Sequence, residues 1–177
     1  MAGWAGQAET ARIAVSERKA LKARVPEDFV KAAEEICEIP YLPEDYFQED
    51  LSGERLTAFE RIREGGVFAS LWRLGEKCGT GMEVELSRIP LRQETVEISE
   101  IGLFSPYEAD GTGSVLFARP SYEAALALLE DLRKRGIPGA LIGILTEGKA
   151  RKIHQGERIR YLEKDRQGDQ GRRKDAD

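Results

Sequence analysis

Two short stretches of this sequence combine residue types and spacings that could do chemistry: Arg61-Ile62-Arg63-Glu64-Gly65-Gly66 and Asp110-Gly111-Thr112-Gly113-Ser114. Each places glycines where a backbone has to come close to something else. In the first, a strand running into two glycines at a helix start exposes amide hydrogens without intrahelical partners, an arrangement that commonly holds phosphates and other anions. Arg61 and Arg63 would strengthen such a pocket, because a guanidinium grips phosphate or carboxylate with a fork of donors. As bare patterns, however, the glycines are explained more plainly by tight turns with close helix-to-sheet packing, and the arginines by a solvated strand. The anion-binding candidates are thus Arg61, Arg63, Glu64, Gly65 and Gly66 from one stretch and Thr112, Gly113 and Ser114 from the other.

Other chemistry finds little support. Cys37 and Cys78 are the only cysteines and His154 the only histidine. None has a second cysteine or histidine at ligand spacing, which disfavours a zinc site and a Cys/His nucleophile pair alike. Both cysteines fall on the apolar side of helix-like segments and are expected to be buried thiols. His154, beside the turn-like Gln155-Gly156, is expected to stand exposed on a hairpin. No catalytic or metal-ligating residue is assigned.

The chain has 177 residues, 27 Lys and Arg against 32 Asp and Glu, and a net charge of -5. Its charges are interleaved rather than gathered into a basic stripe, which argues against nucleic acid. No apolar run approaches the roughly 18 residues of a membrane span, so a soluble, cytoplasmic protein without membrane contact is expected.

The elements that must position the two stretches follow from periodicity. Thr10 to Val15 reads as a first strand, with Ser16 capping a short helix to about Lys22. Pro26, Glu27 and Asp28 start a helix whose Phe29, Val30, Ala33, Ile36 and Cys37 form a stripe. Residues 38 to 53, with Pro40, Pro43, Tyr41, Tyr46 and Phe47, read as a loop packed by its aromatic rings. Residues 55 to 62 suit a strand that runs into Gly65-Gly66, and Val67, Phe68, Leu71, Trp72, Leu74 and Cys78 make the clearest amphipathic helix, closed by Gly79. A strand at 82–86, a helix from about Gln93 to Ile101 and a strand from Ser114 to Ala118 follow. Ser121 caps a helix with Ala125, Leu128, Leu129 and Leu132 spaced for burial, ended by Gly136 and Pro138. Ala140 to Leu145 reads as a strand buried on both faces, and 150–153 with 158–162 as a hairpin across Gln155-Gly156. The expected class is α+β, a mixed and largely antiparallel sheet covered by helices in one domain, 1–162, with a charged disordered tail, 163–177.

The order of these features carries a resemblance. Trp4-Ala5-Gly6, Ile13-Ala14, Val25-Pro26-Glu27-Asp28-Phe29 and the run from Glu64-Gly65-Gly66 to Leu71-Trp72 resemble the C-terminal domain of the aminoimidazole ribonucleotide synthetase superfamily. Ile89-Pro90-Leu91-Arg92-Gln93-Glu94-Thr95, Pro106-Tyr107, Gly113-Ser114-Val115-Leu116 and the run from Ile142 to Gly148 continue the pattern in order. The resemblance covers about residues 3 to 162 and points to the hydrogenase maturation factor-like branch.

The resemblance implies a division of labour, with ATP and magnesium held by an N-terminal domain while the C-terminal domain closes over nucleotide and substrate. By it, Met1 falls near the junction, and this chain alone would hold no cofactor; ATP and magnesium would come only through a partner domain. Members of the superfamily generally carry Asp-Val-Thr or Asp-Ala-Thr before the two glycines, where this chain has Arg61-Ile62-Arg63. A reversed local charge opposes metal-assisted phosphate chemistry there. The tail also lacks the cysteine that the hydrogenase-maturation dehydratases modify. The expectation is a stand-alone, noncatalytic or degenerate substrate-domain module that binds a small anion or pairs, either with itself or with a separately encoded nucleotide-binding domain. The alternatives are the substrate half of a split ATP-dependent enzyme and a fragment of a longer one.

Overall fold

The computed structural model describes residues 1–37, 42–52 and 56–163. Helices α1 (Gln7–Ser16), α2 (Arg18–Leu21) and α3 (Glu27–Glu34) come first. They are followed by strand β1 (Ala58–Arg61), helix α4 (Gly66–Cys78), strand β2 (Gly81–Glu85) and helix α5 (Gln93–Gly102). Strand β3 (Val115–Ala118), helix α6 (Tyr122–Lys134) and strands β4 (Gly143–Thr146), β5 (Arg151–Gln155) and β6 (Arg158–Tyr161) complete the order. β1 and β3 form an antiparallel pair, and the other four make a sheet in the order β4-β2-β5-β6. Among the described strands only β2 and β5 run parallel, so the α+β, mixed and mostly antiparallel architecture is as the sequence implies.

The core divides between the two faces of β3. Leu116 and Ala118 pack with Val67, Leu71 and Leu74 of α4 and with Met82 and Val84 of β2. Phe117, one residue out of phase, packs with Leu132 of α6, Ile137 and Tyr46. A strand buried on both faces needs apolar residues at every position, which Val115-Leu116-Phe117-Ala118 supplies. Away from this centre, Ala14, Leu21, Val30, Ala33 and Ile98 hold α1, α2, α3 and α5 together.

Several elements follow the sequence closely. Gly79 closes α4 in the left-handed region at φ 66°, which a residue without Cβ adopts freely. The Ser121 hydroxyl accepts from the Ala124 amide at 3.2 Å and caps α6. The β5–β6 hairpin turns at Gly156, φ 59°, with Gln155 opposite Arg158.

Other expectations are corrected. Thr10 to Val15 is not a strand but the body of α1, whose buried Gln7, Thr10 and Ala14 recur at helical rather than alternate spacing. Two of those three are polar, and hydrogen bonds make their burial affordable: Gln7 Nε2 donates to the Thr112 carbonyl at 2.8 Å, and Thr10 Oγ1 to that of Gly6 at 2.8 Å. Apolar periodicity therefore missed the helix. Ser16 does not cap α2, which starts one residue later; its hydroxyl instead donates back to the Ile13 carbonyl. On α6 only Leu132 is fully buried, because the helix lies at the surface and Ala125, Leu128 and Leu129 are half covered.

The run from Ala140 to Leu145 yields β4, which is the terminal strand of its sheet rather than a doubly buried one, with Ile144 62% exposed. Cys37 is exposed just beyond α3, and Cys78 is half-buried at the end of α4. His154 is half-buried, with Nε2 3.5 Å from the Glu83 carboxylate. Its ring lies on the parallel β2–β5 seam, a pairing that no local pattern announces. Tyr41, Arg55 and the tail from 164 onward lie outside the described residues.

Candidate anion-binding site

The two glycine-containing stretches are neighbours in space. The Ile62 amide donates to the Ser114 carbonyl at 2.9 Å, which extends the β1–β3 pairing by one residue and sets Arg63 beside Thr112 and Gly113. Ile62 is buried in the core. Strand alternation therefore turns both Arg61 and Arg63 to the opposite face. There they wall a cleft of about 450 Å³ together with Thr112, Gly113, Ser114 and Phe47. A shallower trough continues from it past Glu64, Arg73 and Asp110.

The glycines Gly65 and Gly66 belong to the support rather than to the wall. Both have positive φ, 80° and 65°, and turn the chain sharply into α4. The Gly66 amide donates to the Arg63 carbonyl at 3.0 Å, and the Phe68 amide to the Tyr107 carbonyl at 3.2 Å. The helix start is thus partly satisfied by protein carbonyls, which reduces what it can offer to an anion.

The second stretch is held from three directions. Thr112 donates to Asp110 Oδ1 through its amide at 2.9 Å and its hydroxyl at 2.7 Å. Gln7 holds the Thr112 carbonyl, and Ser114 Oγ donates to the Trp4 carbonyl at 2.9 Å. Gly113, at φ 97°, leaves room for the Gln7 amide, which a Cβ would meet at 2.5 Å.

The charges sort into spoken-for and available groups. Glu60 accepts from Arg73 Nε at 2.6 Å and lies 3.6 Å from Lys77, which also bonds Glu49 at 2.8 Å. Lys77 holds the Glu49 carboxyl below the usual carboxylate range, chiefly through that hydrogen bond. Among the described residues, Arg61 and Arg63 make no ion pair. The Arg61 guanidinium instead lies over the Phe47 ring, 4.0 Å from its centroid, and 5.9 Å from that of Phe59. Cys37 also lines the cleft. Its thiol is pushed up by partial burial and then by the negative Asp110, so it is held protonated and is a poor nucleophile. Among the described residues no cluster of three or more His, Cys, Asp or Glu side chains could hold a metal ion.

Sequence reasoning missed Phe47, Cys37 and Arg73 as neighbours of this cleft. Phe47 alone had a local signal, as an aromatic residue in a proline-punctuated segment; the others are brought in by long-range packing. The structure leaves Arg61, Arg63, Thr112, Gly113 and Ser114 along the cleft and Glu64 in the trough.

No protein-family model matches the chain. Among curated proteins it is 29% identical over 110 residues to the phosphoribosylformylglycinamidine synthase subunit PurL of Parasynechococcus marenigrum, covering 62% of this chain and 14% of that protein. Among solved structures it superposes on E. coli HypE, a hydrogenase maturation protein, with a TM-score of 0.64 at 19% identity, covering 93% of this chain and 48% of that one. A HypE in complex with ATP matches with a TM-score of 0.61 at 16% identity, covering 91% and 48%. The chain therefore spans about half the length of these structures and a small part of the curated relative. With helices on a mixed, mostly antiparallel framework and that superposition, the chain has a HypE-like fold.

Proposed function

We propose that this chain is a stand-alone substrate-domain module, inactive by itself, that holds a small phosphate- or carboxylate-bearing ligand in the cleft between Arg61, Arg63 and Thr112-Gly113-Ser114. The observation that carries the reading is the pair of guanidinium groups on one face of the strand, both without an ion-pair partner among the described residues. Phe47 packs against the Arg61 guanidinium without consuming its donors, so its fork stays open to an oxyanion. Glu64, Gly65 and Gly66 form the turn that holds Arg63 in place, and Thr112 and Ser114 supply the polar far wall.

Thermal unfolding with inorganic phosphate, pyrophosphate or citrate at low ionic strength tests this reading. A ligand at about 100 times its dissociation constant stabilises by about 2.7 kcal/mol, a shift of several degrees in a domain of this size. The shift is expected to vanish in the Arg61→Ala, Arg63→Ala double variant. An unshifted wild-type chain across all three anions removes the reading.

A second reading makes the chain the substrate half of a split ATP-dependent enzyme, whose separately encoded partner brings ATP and magnesium. It is favoured by length, since the chain spans 48% of a HypE that was crystallised with ATP. ATP hydrolysis that arises only on mixing with a candidate nucleotide-binding chain would establish it, and its absence would leave the binding module, alone or paired with itself.

A further inference from the structure

Strand β6 is an open margin of its sheet. Among the described strands it pairs only with β5, and all four of its residues are exposed. The β5–β6 pairing fixes which of its backbone groups are free. The Leu162 amide donates to the Arg151 carbonyl at 2.9 Å, and hydrogen-bonded pairs recur at every second residue of an antiparallel ladder. Arg160 and Arg158 therefore turn their amides and carbonyls toward Ile153 and Gln155. Ile159 and Tyr161 turn theirs away from the sheet. They form an unpaired row, a template on which a further strand can be laid.

The side chains sort by the same alternation. Leu162 is buried in the core, which places Arg160 and Arg158 on that helix-covered face. The Arg160 guanidinium lies 5.2 Å from the Phe68 ring centroid, and its Nη2 3.3 Å from the Glu108 carboxylate. Ile159 and Tyr161, 53% and 60% exposed, stand on the opposite face beside His154 and Lys152. The edge thus offers an apolar row on one face, two arginines on the other and unpaired backbone between them.

The arginines decide the partner. A second copy added antiparallel, edge to edge, joins the unpaired rows only where Ile159 or Tyr161 meets its counterparts. The two registers of greatest overlap then set Arg160 opposite Arg158 or Arg160 of the other copy. Like charges directly opposite each other are destabilising, whereas an acidic residue in that place adds an ion pair to the ladder.

We infer that β6 is a docking edge for an extended peptide segment of another protein in which acidic and apolar residues alternate. Its acidic side chains fall opposite Arg158 and Arg160, and its apolar ones opposite Ile159 and Tyr161. Backbone pairing supplies the affinity and the two rows of side chains select the sequence. No residue of β6 lines the cleft or the trough of the anion site, so the two surfaces are separate.

The test titrates the 177-residue chain at low ionic strength with fluorescein-labelled Val-Glu-Val-Glu-Val-Glu-amide, reading anisotropy and amide exchange at Ile159 and Tyr161. Saturating peptide is expected to slow those two amides roughly tenfold or more. A peptide with Lys in place of Glu, or one N-methylated at its valines, is expected to bind at least about tenfold more weakly. The double variant Arg158→Glu, Arg160→Glu should reverse the choice between the Glu and Lys peptides. No binding, equal binding of the Glu and Lys peptides, or undiminished binding of the N-methylated one overturns the proposal. So does protection that falls elsewhere in the chain. Slowing of Ile159 and Tyr161 that grows with the concentration of the chain alone would give the edge to a second copy, which overturns it as well.

Discussion

Gly66 stands directly beneath Ala109: a Cβ added to it would lie 2.7 Å from the Ala109 carbonyl oxygen and collide with the Tyr107 carbonyl as well. The glycine that looks like half of an anion cradle is also the point where the turn into α4 touches the chain leading to the second stretch. Gly66→Val combines this collision with a β-branched residue at φ 65°. We expect at least about 3 kcal/mol of destabilisation, read by urea unfolding, with or without ligand. A stable, folded Gly66→Val that loses only ligand binding would show that this contact is not structural.

In the proposed site, Phe47 would orient Arg61 rather than touch the ligand. Phe47→Leu keeps the apolar contact and removes the π-face, worth about 0.5–1 kcal/mol at a partly exposed site. Affinity for the stabilising anion should fall by about two- to fivefold, with Tm in the absence of ligand little changed. A loss as large as that of Arg61→Ala would place Phe47 in contact with the ligand instead.

The Met1 amine predicts a pH dependence. Burial lowers its pKa from 8.0 to about 5 in the folded chain. Between those values the unfolded chain binds the extra proton, so stability rises with pH from about 5 to 8 and falls as the medium is acidified through that window. Over the whole span the effect is on the order of 4 kcal/mol. Acetylating the amine should flatten this slope, measured as urea midpoints at pH 5, 6.5 and 8; an unaltered slope would assign it to other groups.

Arg151 is buried at 4% exposure, with its guanidinium 4.1 Å over the Trp72 ring and Nη2 2.5 Å from Glu76, while its Nε has no hydrogen-bond partner. Glu76 is 61% exposed on its side chain, so the pair is partly screened and the orphan donor is the larger concern. Arg151→Met fills the same space beneath Trp72 and needs no donor satisfied. It should leave Tm within a few degrees of wild type, whereas Arg151→Ala should destabilise the fold by about 2 kcal/mol or more through lost packing. Equal losses in both would mean that the charge, not the packing, matters.

What the sequence determined by itself was the set of elements written in local code. Gly79, Ser121 and Gly156 end, start and turn their elements because backbone conformation and capping need only neighbouring residues. The amphipathic stripe of α4 and the candidate residues Arg61, Arg63 and Thr112 to Ser114 were legible for the same reason. Helix α1 was not, since its buried face uses Gln7 and Thr10, whose partners Thr112 and Thr95 are distant in sequence. Only the tertiary structure decided that the Ile62–Ser114 pairing joins the two stretches, that β4 is an edge, and that Gly66 serves packing. Those outcomes depend on which strand lies beside which, a choice made by long-range burial and hydrogen-bond satisfaction rather than by any window of the chain.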